Sequence, residues 1–404
     1  MQVLFLGLQY DRSREVEYLK ISRHGLNAAA NEFQWNLCDG LIDNMESSVR
    51  IVSSLPMGTY PKNYGKLLLE NRKWDYRNVH IEEMACINLP VIKQVQRINS
   101  CYRQIKAWLR ETSDDEKLIV VYSLYLPYMR AVSRILKEEK KLRAVVVVTD
   151  LPGRYGLLPA NYIYAKLLSL VGYAGMKLSK NFHGYVLLTE EMRIPLEIKD
   201  KPYVIIEGIT KASSDAQIPK SCPSPARYIL YTGTLAKAAN ISNLLCAFNK
   251  VSDPGAELWI CGSGEMQEEI KAQAKKNPRI KYLGFQPKAK ILQLQANAAV
   301  LVNPRTSEGE FTKYSFPSKT IEYMASGTPV VMHRLPGIPG EYSDYLIYAE
   351  DNSDQALAEA LDRVLSWSQE QRKDFGEQAK IFVQEHKSPS SQAKKLLDMA
   401  QQLF

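Results

Sequence analysis

The run YSFPSKTIEYMASGTPVV, from Tyr314 to Val331, carries one carboxylate, Glu322, within a loop, a short helix and an apolar strand. Pro317 suits a first helical turn, Ser315 or Ser318 can cap exposed N–H groups, and Gly327 with Pro329 ends the helix. Ile321, Met324 and Ala325 form its buried stripe, so Glu322 points beside the core, toward the helix's amino-terminal end. Free amides and the helix dipole favour an anion such as a diphosphate there, and a carboxylate is suited to accept two hydroxyls of a ribose. A solvated helix carboxylate is the plainer reading, and pattern alone leaves it open. Two bulky residues, Tyr314 and Phe316, with Arg305, Lys313 and Lys319 nearby, weigh toward a ligand.

Such residues need a scaffold. The chain has 404 residues, enough for two α/β domains with a cleft between them. Apolar runs separated by helical stretches are the mark of a doubly wound parallel sheet: Val3–Leu8, Leu118–Leu124, Ala144–Asp150 and Gly184–Thr189 in the first half. Arg227–Leu235, Glu257–Glu265, Arg279–Phe285, Ala298–Pro304 and Thr328–His333 continue the style in the second. KASSDAQIPKSCPSP, 211–225, reads as the hinge loop. The expected domains are 1–205, 206–385 and a terminal helical segment, 386–404, that breaks at Ser388–Ser391 and can pack back on the first domain. Strand ends run into Gly7, Asp150, Gly233, Gly262 with Gly264, and Gly284, where open parallel sheets bind ligands. Asn27 and Asn31, one turn apart at a helix start, either contact a hydroxyl or cap backbone.

Composition narrows the classes. The net charge of +8 favours anionic partners. Basic residues are dispersed and not interleaved with aromatics at a recognition spacing, so nucleic acid is not expected. Six scattered cysteines suggest free thiols in a reducing compartment. Five lone histidines offer no triad, and no Asp-x-Asp pair stands at a strand end to bridge a metal-bound diphosphate. No run is long and apolar enough to span a membrane, and the amino terminus reads as a first strand. The segments 91–110 and 161–180, mixing aromatic, Leu and basic residues, either lean on an anionic membrane or pack as ordinary helices.

The run FPSKTIEYMASGTPVV, preceded in order by ILYTGTL, ELWICGSGE, IKYLGF and VLVNPR, resembles the signature of retaining GT-B glycosyltransferases of the family 4 group. Within that group it is most similar to bacterial enzymes that build capsular and exopolysaccharide glycans. The resemblance is specific over about residues 203–350 and only general over the first 200. It implies a fold of two Rossmann-like domains facing across a cleft. It also implies transfer of a hexose from a nucleotide diphosphate sugar, UDP-sugar before GDP-sugar, to a glycan or lipid-linked hydroxyl. Glu322 would bind the donor ribose. Ser315, Phe316, Pro317 and Ser318 would cradle sugar and diphosphate. Gly233 and Thr234 would form the turn against the diphosphate, and Gly262, Gly264 and Phe285 the base pocket. Gly7, Asn27, Asn31 and Arg154 fall on the acceptor side, with Asp150 near the sugar.

Three positions depart from the family pattern. The partner carboxylate expected eight residues before Glu322 is Tyr314, the Arg after the turn glycine is Thr234, and the following Lys is Ala239. Cationic help for the leaving diphosphate then falls to Lys237, Arg305 or Lys319, and contact with the sugar to Tyr314 and backbone amides. The resemblance implies no cofactor and no metal, and places the enzyme in the cytoplasm, with peripheral contact at the membrane's inner face. Two alternatives stand beside it: a nucleotide-sugar epimerase of the same fold, and a non-catalytic relative that binds a nucleotide sugar or scaffolds a partner.

Overall fold

Apolar runs without polar alternation become parallel strands covered on both faces, and two sheets here are built that way. The computed structural model describes residues 1–23, 25–112, 116–152, 162–211 and 227–404. The chain divides into Met1–Ile209 with Pro389–Phe404, and Thr210–Ser388. Of the run read as the hinge loop, all but Lys211 lies outside the described residues.

Strands of the first unit are β1 (Gln2–Gly7), β2 (Val49–Ser53), β3 (Leu68–Leu69), β4 (Arg72–Tyr76), β5 (Val79–Glu83), β6 (Cys86–Ile87), β7 (Lys117–Tyr122), β8 (Arg143–Val148), β9 (Gly184–Leu187) and β10 (Tyr203–Ile205). Eight form one sheet in the order β10-β9-β8-β7-β1-β2-β5-β4, parallel except for the β4–β5 pair. β3 and β6 pair apart from it. The four runs read from the sequence are β1, β7, β8 and β9. The β4–β5 hairpin is an addition, closed by Arg77 and Asn78 at φ 51° and 63°, a two-residue turn whose twist suits antiparallel strands.

In the second unit β11 (Arg227–Thr232), β12 (Ala256–Cys261), β13 (Ile280–Gly284), β14 (Val300–Asn303), β15 (Val330–His333) and β16 (Ile347–Ala349) form a parallel sheet in the order β13-β12-β11-β14-β15-β16. Only β16, three residues long, escaped the sequence. The order reverses between β11 and β14. In doubly wound sheets that reversal opens a crevice outside the strands' carboxyl ends, where ligands bind.

The last helix, Pro389–Gln401, belongs to the first unit. The break before it falls at Lys387 and Ser388, earlier than expected, because Pro389 opens the new helix where its missing N–H costs nothing. Ala393, Leu396, Leu397 and Ala400 join the core of Val3, Phe5, Leu37, Leu41 and Val120. Contact with the helix Ala28–Met45 is close enough that a Cβ on Gly40 would stand 1.9 Å from the Pro389 carbonyl oxygen. Asn44 Nδ2 donates to Ser390 O at 3.1 Å beside it. Gly40→Ala must therefore push the helix backbones apart, an overpacking cost of about 1–3 kcal/mol. Amide exchange across both helices should accelerate in that variant; unchanged exchange would contradict the contact.

Candidate functional site

β11 ends at Thr232, and the side chains around it set the site. Tyr323, buried in the helix Lys319–Ala325, accepts from Thr232 N at 2.8 Å and donates its hydroxyl to Thr232 O at 2.9 Å. Burial raises the pKa of this phenol, so it stays protonated and can donate. Gln295, fully buried in the helix Lys288–Asn297, donates Nε2 to Thr232 Oγ1 at 3.1 Å and to Glu322 Oε1 at 2.8 Å. Lys319 Nζ reaches both oxygens of Glu322, at 2.9 and 3.0 Å. Ile321, Met324 and Ala325 are buried, and the half-buried Glu322 carboxylate is fixed beside the end of β11, at the reversal of strand order.

The helix behind Glu322 has seven residues, and neither serine caps it. Ser318 makes no capping bond, and Ser315 Oγ donates to Phe311 O at 3.1 Å. So short a helix gathers little macrodipole, and positive charge here comes from side chains instead. Arg305, two residues beyond β14, donates Nη2 to Ser315 Oγ at 2.8 Å and lies 4.6 Å from the Phe311 ring centroid. Its Nε is buried with no protein partner, and burial lowers its pKa from the ordinary value. Asn240 Nδ2 donates to Thr306 Oγ1 at 2.9 Å, tying the loop after β11 to the loop after β14. Lys237 is exposed on the first of these loops, its backbone N–H held by Glu265 Oε1 at 2.7 Å.

Two aromatic residues depart from expectation. Tyr314 is 8% exposed and donates its hydroxyl to Glu310 Oε1 at 3.2 Å. Phe316 packs into the core, 5.4 Å from the Tyr342 ring. Both rings bury apolar area, which leaves Ser315 and Pro317 half-buried and Ser318 exposed as the open part of the loop. A carboxylate does stand near position 314: Glu310, whose signal was the run SEGE just upstream. Gly262 and Gly264 answer to packing. Cβ atoms there would stand 1.9 Å from Gly233 O and 2.6 Å from Leu235 O, because Gly233 N donates to Cys261 O and Leu235 N to Ser263 O, both at 3.0 Å. The Gly233 amide is thus committed, with Thr234 exposed beside it, and Phe285 is exposed beyond β13.

In the first unit, Gln9 Oε1 fills the space above Gly7 that a Cβ would need. Asn27 caps its helix by accepting from Ala30 N at 3.0 Å, and Asn31 Oδ1 accepts from Tyr10 N at 2.8 Å, so both hold backbone. Asp150 is exposed past β8, 3.4 Å from the Thr149 hydroxyl that donates to it. Arg154 lies outside the described residues. Sequence reasoning missed a polar group at the carboxyl ends of β1, β2 and β5. Gln9 Oε1, Ser54 Oγ, Glu83 Oε2 and Arg97 Nε are buried there without protein partners. Ser54 N donates to Gly7 O at 3.1 Å, Ser53 pairs with Glu83 in register, and Arg97 Nη2 donates to Leu55 O at 2.5 Å. Burial pushes Glu83 up to about 7, against the pull of Arg72 and Arg14.

Two measurements follow from this geometry. Gln295→Met keeps shape and removes the amide, so Glu322 loses a charged hydrogen bond of about 1.5–3 kcal/mol. A higher donor KM is expected together with a lower melting temperature, since the bond to Thr232 Oγ1 is lost as well; unchanged KM would show that Glu322 does not depend on Gln295. Glu83 has a folded pKa above its unfolded value, so the folded state holds the proton more tightly. That advantage is full below the unfolded value and is lost as pH rises through about 7. Glu83→Gln escapes the loss and should be more stable than wild type at pH 8 by up to about 3 kcal/mol, with the gap closing toward pH 5. A gap independent of pH in thermal unfolding would contradict the assignment.

Residues 215–382 match the family model described as glycosyl transferases group 1. Across 100% of its length the chain is similar to sucrose-phosphate synthase from Thermosynechococcus elongatus, at 16% identity, 99% of that chain and a TM-score of 0.66. It is likewise similar over 100% of both chains to the apo form of the lipopolysaccharide outer core galactosyltransferase WaaB, at 13% identity and a TM-score of 0.62. Anabaena HepE in complex with UDP matches over 100% of both chains at 13% identity and a TM-score of 0.63. No curated protein sequence matches the chain. The fold is GT-B, two Rossmann-like domains, and the match to glycosyl transferases group 1 over residues 215–382 supports a glycosyltransferase.

Proposed function

We propose that the chain moves a hexose from a nucleotide diphosphate sugar, a UDP-sugar before a GDP-sugar, to a hydroxyl of a glycan or lipid-linked acceptor. The anomeric configuration is retained, and the product serves bacterial surface polysaccharide or glycoconjugate synthesis. One observation carries this: the Glu322 carboxylate held by Gln295 and Lys319 at the reversal of strand order, where a doubly wound sheet takes its ligand. A ribose offers two hydroxyls that a carboxylate so fixed can accept. HepE was solved with UDP, which supports the donor class. WaaB is described as a galactosyltransferase of the lipopolysaccharide outer core, which supports a glycan acceptor.

In transfer, the bond from the anomeric carbon to the diphosphate oxygen breaks as the acceptor hydroxyl oxygen bonds that carbon, its proton passes to the departing diphosphate oxygen, and negative charge develops on the diphosphate until it does. Arg305 and Lys319, with Lys237 on the facing loop of the same unit, stabilise that charge without a metal. Among the described residues no group of three or more His, Cys, Asp or Glu side chains is placed to hold a metal ion. The acceptor is bound by the first unit, where the unpartnered atoms of Gln9, Ser54, Glu83 and Arg97 are suited to sugar hydroxyls. The enzyme works on the cytoplasmic side, in peripheral contact with anionic membrane. Among the described residues no helix is long and apolar enough to cross one.

Glu322→Ala should cost donor use about 1.5–3 kcal/mol, the worth of hydrogen bonds to a charged group. Steady-state kinetics with UDP- and GDP-sugars, and hydrolysis of the donor without acceptor, measure it. Unchanged donor affinity and turnover in the variant would remove the donor-site assignment.

A further inference from the structure

Three helices of the first unit, Pro90–Glu111, Leu126–Glu138 and Tyr162–Ser179, pack in one layer with Leu126–Glu138 in the middle. Arg134 lies 4.3 Å from the Tyr102 ring centroid on one side, and Asn181 Nδ2 donates to Ser133 Oγ at 3.2 Å on the other. Their outward surface is poor in carboxylates: Glu138 pairs with Arg134 and Lys106 and accepts from Tyr102, at one end of the layer. No Asp or Glu occurs in 90–110, 126–137 or 162–179, although the chain has 44 of them; Glu111 and Glu138 come only at the last helical positions. Ordinary solvated helices mix both signs, as Gln369–His386 does in the second unit.

The same surface exposes large apolar side chains. Val91 is 74% exposed on the first helix, and Leu170 and Tyr173 are 60% and 53% exposed on the third. Lys166, Leu170, Tyr173 and Lys177 recur every three or four residues, so they form one exposed line with a lysine at each end. Arg130, Arg134 and Lys137 repeat the spacing on the middle helix, all exposed.

We propose that this three-helix face docks on the surface of an anionic bilayer. Leu170, Tyr173 and Val91 enter the boundary between headgroups and acyl chains, and the lysines and arginines meet lipid phosphates. The proposal rests on the reading of a lipid-linked acceptor and names the surface that brings the enzyme to it. Charge and apolarity together select this occupant. A purely apolar protein partner would leave the cations unmet, and nucleic acid would leave the aliphatic residues in water.

Vesicle cosedimentation of the full chain tests it. The protein should bind vesicles of phosphatidylcholine with phosphatidylglycerol, not phosphatidylcholine alone, and salt should weaken binding. Leu170→Glu with Tyr173→Glu, and separately Lys166→Glu with Lys177→Glu, should each lower the partition coefficient about tenfold or more. Lys275→Glu with Lys276→Glu on the second unit changes charge equally and should leave binding intact. Each variant should keep the wild-type circular dichroism and thermal shift with UDP, so loss of docking is distinguished from failure of the donor reading. Absent or lipid-independent binding, or equal loss in the second-unit variant, would overturn the proposal. So would helix variants that alter only self-association in sedimentation velocity, which would make the face an interface between copies.

Discussion

The phenol of Tyr323 closes the backbone of Thr232 from both sides, and the site in the second unit depends on that pair of hydrogen bonds. A strand that ends inside a protein leaves an N–H and a C=O that must find partners. Here one side chain serves both, and it comes from the helix next to the ligand loop. The helix is thereby keyed to the end of β11, and Glu322, one residue earlier, inherits its position. Gln295 then locks the arrangement from a second helix by bridging Thr232 and the Glu322 carboxylate.

Charge at this site is supplied by mobile-stemmed cations held in place by aromatic and hydroxyl neighbours. Arg305 lies over Phe311 and bonds Ser315, whose hydroxyl in turn bonds back to Phe311 O. The guanidinium is therefore oriented before any ligand arrives, which reduces the ordering cost of binding one. The aromatic loop supports the site chiefly by this bracing. The first unit solves a different problem, with polar atoms left unpartnered among apolar strands at the ends of β1, β2 and β5.

Most strands were legible because a sheet covered on both faces writes itself as an unbroken apolar run, as in AVVVVTD. β2, β3, β6 and β10 were not, nor were β16 and the edge pair β4–β5: runs of two or three residues carry no period, VRIVS is broken by Arg50, and RKWDY alternates with charges because one side meets water. Glu322, Arg305 and Lys319 could be picked out because they sit in or beside one helix signature. Gln295 and Tyr323 could not be assigned roles, since their partners lie far away in sequence and only topology brings them to Thr232. The same holds for Glu83, which looks like any strand-end carboxylate until its burial is known. Tyr314 departs from expectation because an aromatic residue before a helix looks the same in sequence whether it faces a ligand or the core.

The last helix gives the chain an order of assembly. The core around Leu37 and Leu41 is completed by Leu396 and Ala400, so the first unit to leave the ribosome is the last to be finished. Until Pro389 and its helix emerge, that unit must wait with an uncovered apolar face while the whole second unit is synthesised and can fold. A transcript cut short would therefore yield an exposed core on one unit beside an intact other, a product that chaperones and proteases can recognise.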